Sequence, residues 1–100
     1  MMEAMNLLVT ERAFAATVRE YATAKGWTCW LTWKSLHSPA GEPDLRLVRP
    51  PRFLLVELKS EKGKLTLAQL EARDLLQGCP GVEYYCWRPS DWAEIEKVLE

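Results

Sequence analysis

The chain has 100 residues, of which 48% are hydrophobic and 27% charged, and its formal net charge is −1. This length fits one small domain, residues 1–100, and the composition is that of a folded globular protein and not of a disordered one. The near-neutral charge excludes a strongly basic nucleic-acid binder, so a polyanion would have to be held by a local basic patch or through a metal ion.

Three cysteines and a single histidine, His37, exclude two further classes of protein. An odd cysteine count without a C-x-x-C pair argues against a disulfide framework and against a zinc finger. The first residues do not resemble a secretory signal, and no apolar run approaches the ~20 residues that a membrane span requires. We therefore expect an intracellular, cytoplasmic protein with no membrane association.

The first predicted element is a helix over residues 11–25, with Thr10 as its N-cap. Glu11 lies three residues before Phe14 and seven before Val18, so helical spacing places it on their inward face. Two explanations remain open for this carboxylate. It is either a first-turn acid favoured by the helix dipole or part of a site.

The remaining elements alternate between strands and helices. A T-x-x-Q capping box begins at Thr66 and pairs it with Gln69. The Pro-Pro pair cannot supply the positive φ values of a type I′ turn, which predicts a longer connection between the second and third strands. The predicted fold is a mixed sheet flanked by helices, in the order αβββαβα. After the first helix come strands at Trp27–Lys34 and Asp44–Val48, a turn at Arg49–Arg52 and a strand at Phe53–Lys59. The chain continues with a helix ending at Gln77, a strand within Gly81–Trp87 and a last helix after Ser90.

The hairpin geometry brings charged residues together. Centring the turn between Pro50 and Pro51 places Asp44 opposite Glu57, with Cβ atoms about 4.5–5.5 Å apart. Lys59 points to the same face, about 6.6 Å further along at ~3.3 Å per residue. A shared proton, Lys59 or a divalent cation would each relieve the repulsion between the two carboxylates.

Carboxylates and water are the ligands that magnesium prefers, and the main-chain carbonyl of Leu58 is a further candidate ligand. Lys59 would orient an attacking water or neutralise a phosphate, so these parts suit metal-assisted phosphodiester hydrolysis. The alternative is a surface ion pair at a strand exit with Asp44 capping a turn. A proline-aspartate pair, a short hairpin and E-x-K at the opposing position favour the functional interpretation.

The sequences SPAGEPDLRLV, FLLVELKSEKGKLTLAQ and YYCWRPSDW resemble the VRR-NUC domain, a virus-type replication-repair nuclease of the PD-(D/E)xK superfamily. The resemblance covers nearly the whole chain, with Pro43-Asp44 as the PD and Glu57-Leu58-Lys59 as the (D/E)xK. It implies a restriction-endonuclease-like core, dependence on Mg²⁺ or Mn²⁺, Asp44 and Glu57 as metal ligands and Lys59 as the catalytic lysine. Glu11 matches a first-helix glutamate that often completes the site, and Gln69 matches a recurring glutamine that the capping box explains equally well.

Stand-alone members of this family resemble homodimeric endonucleases that cut branched DNA such as four-way (Holliday) junctions, and they are typical of phages and prophages. The expected cell is therefore bacterial or phage-infected, the expected partners are DNA and a second copy of the chain, and no small-molecule cofactor is expected. The modest overall charge does not identify the surface that would bind DNA. The candidate residues for it could equally belong to an ordinary solvated loop and strand edge. They are Lys34, Arg46, Arg49, Arg52, Lys62 and Lys64.

Two other functions stay open from the sequence. One is a sequence-specific or non-specific DNA nuclease, although no separate recognition module fits in the chain. The other is a non-catalytic nucleic-acid-binding module in which Asp44, Glu57 and Lys59 form a structural charge cluster.

Overall fold

The computed structural model describes residues 6–32 and 40–100. It confirms the predicted α/β class with a mixed sheet flanked by helices. In chain order the elements are α1 (Glu11–Ala24), β1 (Thr28–Leu31), β2 (Leu45–Arg49), β3 (Arg52–Leu58), α2 (Leu67–Gln77), β4 (Glu83–Trp87), a 3-10 turn (Pro89–Asp91) and α3 (Trp92–Leu99). None of the helices in these ranges has the length and apolar character needed to cross a membrane.

The four strands form one sheet in the order β1-β2-β3-β4. The β1–β2 and β2–β3 pairs are antiparallel, and β3 pairs with β4 in parallel. A parallel pair requires a crossover connection, which contains α2 here. This arrangement places β3, the strand that carries Glu57, between two hydrogen-bonded neighbours.

The hydrophobic core lies on one face of the sheet. Alternation along β3 directs Leu54, Val56 and Leu58 toward this core and Glu57 and Lys59 toward the opposite face. Helices α1 and α3 supply the other side of the core. Its buried members are Phe14, Val18, Ala22, Trp27, Leu45, Leu47, Leu54, Val56, Leu58, Trp87, Ile95 and Leu99.

Both predicted helix caps are confirmed. Thr10 Oγ1 accepts a hydrogen bond from the backbone N–H of Ala13 at 3.1 Å. Thr66 and Gln69 form a reciprocal capping box, and α2 ends at Gln77 with Gly78 as its C-cap. The two N-caps fix the first turns of the helices, which carry Glu11 and Gln69.

The connection between β2 and β3 is shorter than predicted. Arg49 pairs directly with Arg52, so only Pro50 and Pro51 lie outside the ladder. The peptide bond between the two prolines is cis, and no non-glycine residue in the described ranges has a positive φ. The prediction of a longer loop assumed that a two-residue turn needs positive φ, and this turn closes without it.

Two arginines at this closed end of the hairpin bind the C-terminal ends of helices. Arg49 donates to the carbonyl oxygens of Lys25 at 2.8 Å and Glu100 at 2.9 Å. Arg52 donates to the carbonyl of Val98 at 2.8 Å. Cations beside helix C-termini satisfy free carbonyls and complement the helix dipole. The closed end therefore joins α1, α3 and the hairpin into one unit.

Arg52 also binds Glu83 through two parallel hydrogen bonds of 2.7 and 2.8 Å. The guanidinium group lowers the pKa of Glu83 below its usual value of 4.5. A lowered folded-state pKa means that the pair stabilises the fold above this value and loses its effect as the pH falls through the folded pKa.

We expect Glu83→Gln to lower the free energy of unfolding at pH 7 by about 0.5–1 kcal/mol, since about a third of each side chain is exposed and screened by solvent. Urea denaturation of both proteins at pH 7 and pH 3 tests this. The difference between them should shrink at pH 3, and an equal difference at both pH values would contradict the assignment.

Candidate functional site

The open end of the hairpin is where the β2–β3 ladder stops. The predicted register holds from Arg49–Arg52 to Leu45–Val56, and Asp44 follows immediately. Its main-chain carbonyl accepts from Thr32 N at 2.8 Å, while its Oδ2 accepts from Leu58 N at 2.7 Å. The Asp44 carboxylate thus accepts the hydrogen bond that a main-chain carbonyl would accept if the β2–β3 ladder continued.

Three carboxylates meet at this point. One carboxylate oxygen from each of Glu11, Asp44 and Glu57 lies within 4.8 Å of the other two. Glu57 is only 1% exposed, Asp44 is half-buried and Glu11 is exposed. Helical spacing therefore located Glu11 on the correct side of α1, although its side chain lies at the rim and not among the buried residues Phe14 and Val18.

Lys59 brings an ammonium group to the same face of the sheet as Glu57. Its side chain is only 9% exposed, and its main-chain N–H donates to the carbonyl of Trp87 at 3.0 Å. Lysine and glutamate are rarely buried to this degree unless they are paired or serve a site, because removing charge from water is costly. Both buried charged residues in the described ranges belong to the predicted E-x-K motif.

The Leu58 carbonyl lies on the side of the carboxylates. In a strand, the N–H and C=O groups of one residue point to the same side. Because the N–H of Leu58 donates to Asp44 Oδ2, its carbonyl also faces Asp44. The role of the carbonyl as a further oxygen ligand stays a prediction.

Gln69 caps α2 and also contacts Glu57, while its part in a site stays a prediction. Its Oε1 accepts from Thr66 N at 2.9 Å, and its own N–H donates to Thr66 Oγ1, completing the capping box. Its Nε2 donates to Glu57 Oε2 at 3.3 Å. Since the cap takes the amide oxygen, the amide nitrogen must face Glu57. The capping box therefore orients a hydrogen-bond donor toward the carboxylate cluster.

Gly41, which the sequence analysis did not select, allows the loop before Asp44 to pack against α2. Gly41 has φ +89°, a conformation that side chains disfavour. A Cβ atom at this position would lie 2.4 Å from the carbonyl oxygen of Ala68, in the first turn of α2. The loop can therefore approach the helix that carries Gln69 only because residue 41 has no side chain.

We expect Gly41→Ala to lower the free energy of unfolding by about 1–3 kcal/mol, because the substitution combines a strained φ with a main-chain clash. Chemical denaturation measures this loss. Gly81→Ala is the matched control, since a Cβ there meets nothing within 4 Å, and its effect should stay within about 0.5 kcal/mol. Equal effects of the two substitutions would show that the close contact at residue 41 is unimportant.

A cleft of about 360 Å³ opens beside the carboxylates. Arg12, adjacent to Glu11, contributes a cation to its wall and was not among the sequence candidates. No motif marks this residue, because only the packing of α1 against the hairpin shows where it lies. The other lining residues include Glu11, Leu31, Thr32, Asp44 and Leu58.

Two titratable residues of β4 lie next to the site on the same face. Cys86 pairs with Glu57 in the parallel ladder, and burial raises the pKa of its thiol. Burial, with smaller contributions from the Cys86 thiolate that forms at high pH and from Glu57, raises the pKa of Tyr84 to about 12. Both groups are therefore neutral at pH 7, so the negative charge of the site comes from its carboxylates.

The sequence candidates for DNA binding fall in different environments. Lys62 and Lys64 are exposed in the loop that follows β3, while the guanidinium of Arg46 lies 5.8 Å from the ring centroid of Trp30. Arg49 and Arg52 lie at the closed end, where their side chains bind main-chain carbonyls. Their contact with DNA stays a prediction, and Lys34 lies outside the described residues.

The chain was compared with known proteins. No family model and no curated protein matches it. A solved structure described as a VRR_NUC domain superimposes with a TM-score of 0.70 at 20% sequence identity, over 91% of this chain and 96% of that one. The chain therefore has the fold of that VRR_NUC domain, which confirms the fold that the sequence resemblance implied.

Proposed function

We propose that this protein is a metal-dependent DNA endonuclease that hydrolyses phosphodiester bonds, with selectivity for branched DNA such as four-way junctions and with a homodimer as the active form. The observation that carries the proposal is the convergence of Glu11, Asp44 and Glu57 within 4.8 Å beside the buried Lys59. The VRR_NUC fold of the chain supports the same class of reaction.

The donor set fits a hard divalent cation. Three carboxylates and a main-chain carbonyl offer oxygen only, which suits Mg²⁺ or Mn²⁺. The residues that would hold the ion are Asp44, Glu57 and Glu11, with the carbonyl of Leu58. When bound, the ion would act as a Lewis acid on the phosphate and lower the pKa of a bound water.

The side chains around the carboxylates have separate roles in this proposal. The N–H of Leu58 holds Asp44, and Gln69 holds Glu57, so neither carboxylate turns freely. Lys59 keeps a positive charge close to the scissile phosphate and stabilises the charge that develops there. Holding these groups in place before substrate binds lowers the cost of reaching the transition state.

Local cations around the cleft compensate for the net charge of −1. Arg12 lines the cleft, and Lys62 and Lys64 lie exposed in the loop that begins after Lys59. In this proposal the three residues contact phosphates on either side of the scissile bond. Such contacts carry no sequence information, in agreement with recognition of DNA shape.

The proposed homodimer would supply a second active site. The described residues of one protomer hold one carboxylate cluster, and paired cuts in a branched substrate require two such clusters related by symmetry. Helix α2 has no buried residue, and its Leu67 and Leu75 are 72% and 74% exposed. An exposed apolar pair of this kind supports a contact between copies, which sedimentation at working concentration can test.

Cleavage assays on defined DNA substrates test the proposal. The protein is incubated with linear duplex, single-stranded, flap and four-way-junction DNA, each with Mg²⁺, Mn²⁺ or EDTA. We expect metal-dependent cuts in the junction first and in linear duplex last. Equal rates on all four would support the non-specific nuclease, and cuts at one sequence regardless of structure would support the sequence-specific one. Binding without cleavage under every condition would overturn the nuclease function in favour of a binding module.

A further inference from the structure

Arg88, immediately after β4, binds the loop that follows Lys59. Its Nη1 donates to three main-chain carbonyls, those of Ser60 at 2.7 Å, Glu61 at 3.2 Å and Gly63 at 2.6 Å. One guanidinium group thus binds three carbonyl oxygens of the four-residue loop 60–63. Arginine is suited to this role because its planar group offers several donors in a fixed geometry.

The same loop is attached to the start of the 3-10 turn by a second contact. Glu61 Oε1 accepts from Ser90 N at 3.0 Å. The backbone of Arg88 is itself fixed, because its N–H donates to Asp91 Oδ2 and its carbonyl accepts from Asp91 N, both at 2.8 Å. The loop therefore rests on a rigid support provided by the residues after β4.

The loop in turn packs on the side chain of Lys59. Gly63 N donates to the carbonyl of Ser60 at 3.1 Å, which folds the loop back on itself. A Cβ atom on Gly63 would lie 3.6 Å from Cδ of Lys59, so the main chain at residue 63 lies close to the lysine side chain. This packing accounts for the 9% exposure of a lysine that stands at the end of a strand.

We propose that Arg88 is a positioning residue for Lys59: by holding residues 60–63 against the lysine side chain, it keeps the ammonium group directed toward the reacting phosphate. Immobilising a lysine side chain costs conformational entropy, so an ordered Lys59 requires fixed neighbouring residues. This inference rests on the proposed nuclease function, to which it adds a residue that does not touch the substrate.

The first test measures the accessibility of Lys59 and needs no DNA cleavage. Amine acylation of the intact protein is followed by peptide mass spectrometry, with the exposed Lys97 on α3 as the internal reference. In Arg88→Ala the labelling rate of Lys59 relative to Lys97 should rise severalfold, and Arg88→Lys should give a smaller rise. Glu83→Gln, which removes an ion pair away from the loop, should leave the ratio unchanged. An unchanged ratio in Arg88→Ala would overturn the inference.

The second test measures kcat and KM on the DNA substrate that the wild type cuts best. Arg88→Ala should lower kcat by about tenfold to a hundredfold, since small displacements of a reacting group carry losses of this size. KM should change far less, and in a Lys59→Met background the same substitution should have little further effect. A loss confined to KM, or an equal loss in both backgrounds, would contradict the positioning role.

The two tests separate the inference from the proposed function. If the wild type cuts no DNA while Lys59 still becomes accessible in Arg88→Ala, the nuclease function fails and only the packing of the loop is established. If the wild type cuts and Lys59 becomes accessible without any loss of kcat, the function stands and the positioning role is wrong.

Discussion

Replacing Glu57 with glutamine is expected to abolish metal-dependent DNA cleavage while the metal-free protein keeps or gains stability. Glutamine has the same shape, and its amide oxygen can still accept the hydrogen bond from Gln69. The substitution removes one of three negative charges within 4.8 Å of each other, at a position that is 1% exposed. Like charges in such a site repel strongly because little water screens them.

The expected loss of kcat is about a thousandfold or more, or ~4 kcal/mol of transition-state stabilisation. The free energy of unfolding without metal is measured by urea denaturation, and metal binding by calorimetry. Mn²⁺ should raise the melting temperature of the wild type by mass action and should leave that of the variant nearly unchanged.

Glu94→Gln is the matched control for this prediction. It removes the same charge from an exposed position on α3, so cleavage and metal binding should match the wild type. A stability loss in Glu57→Gln with normal cleavage would instead show that the carboxylates form a structural charge cluster. That result would remove the basis of the proposed chemistry.

Lys59→Met is expected to lower kcat by about a hundredfold to a thousandfold while metal binding persists, because the carboxylate ligands remain and only the charge that stabilises the transition state is lost. Methionine preserves most of the length of the side chain and suits a position that is 9% exposed. Metal-free stability should fall, since the carboxylates lose a buried cation on their own face. The change in metal-free stability therefore has the opposite sign to the change expected for Glu57→Gln.

Comparing the metal-free stabilities of Glu57→Gln and Lys59→Met distinguishes an effect on a site from general unfolding. Lys97→Met serves as the control, because this lysine is exposed on α3 and lies outside the predicted E-x-K motif. If Lys59→Met cuts DNA normally, the lysine has no part in the reaction. If both variants lose stability, charge compensation does not explain why the acids are buried.

The sequence was sufficient to predict that Asp44 and Glu57 lie together, because a short hairpin sets its own register. The symmetric register about Pro50 and Pro51 follows from the hairpin alone, and the structure has this register. Helical spacing placed Glu11 on the inward face of α1, but only the resemblance to the VRR-NUC domain connected it with the hairpin. The structure brings the three carboxylates within 4.8 Å of one another, and their roles in a site stay predictions.

The features that the sequence did not reveal depend on distant contacts or on exact backbone angles. Arg88 acts on a loop 25 to 28 residues earlier in the chain, and Arg52 binds a carbonyl 46 residues away. The sequence analysis took Arg52 as a candidate DNA contact and assigned no role to Arg88. Gly41 could be recognised only from the position of Ala68, and the two-residue proline turn only from its peptide geometry.

The position of Arg49 and Arg52 at the closed end of the β2–β3 hairpin has a practical consequence for engineering. Glu57 lies about 16 Å from Arg52 along the strand, at ~3.3 Å per residue. Substitutions separated by more than about 10 Å generally have additive effects. Thermostabilising changes around the two prolines can therefore be combined with substitutions in the carboxylate cluster at the other end, with additive effects on stability.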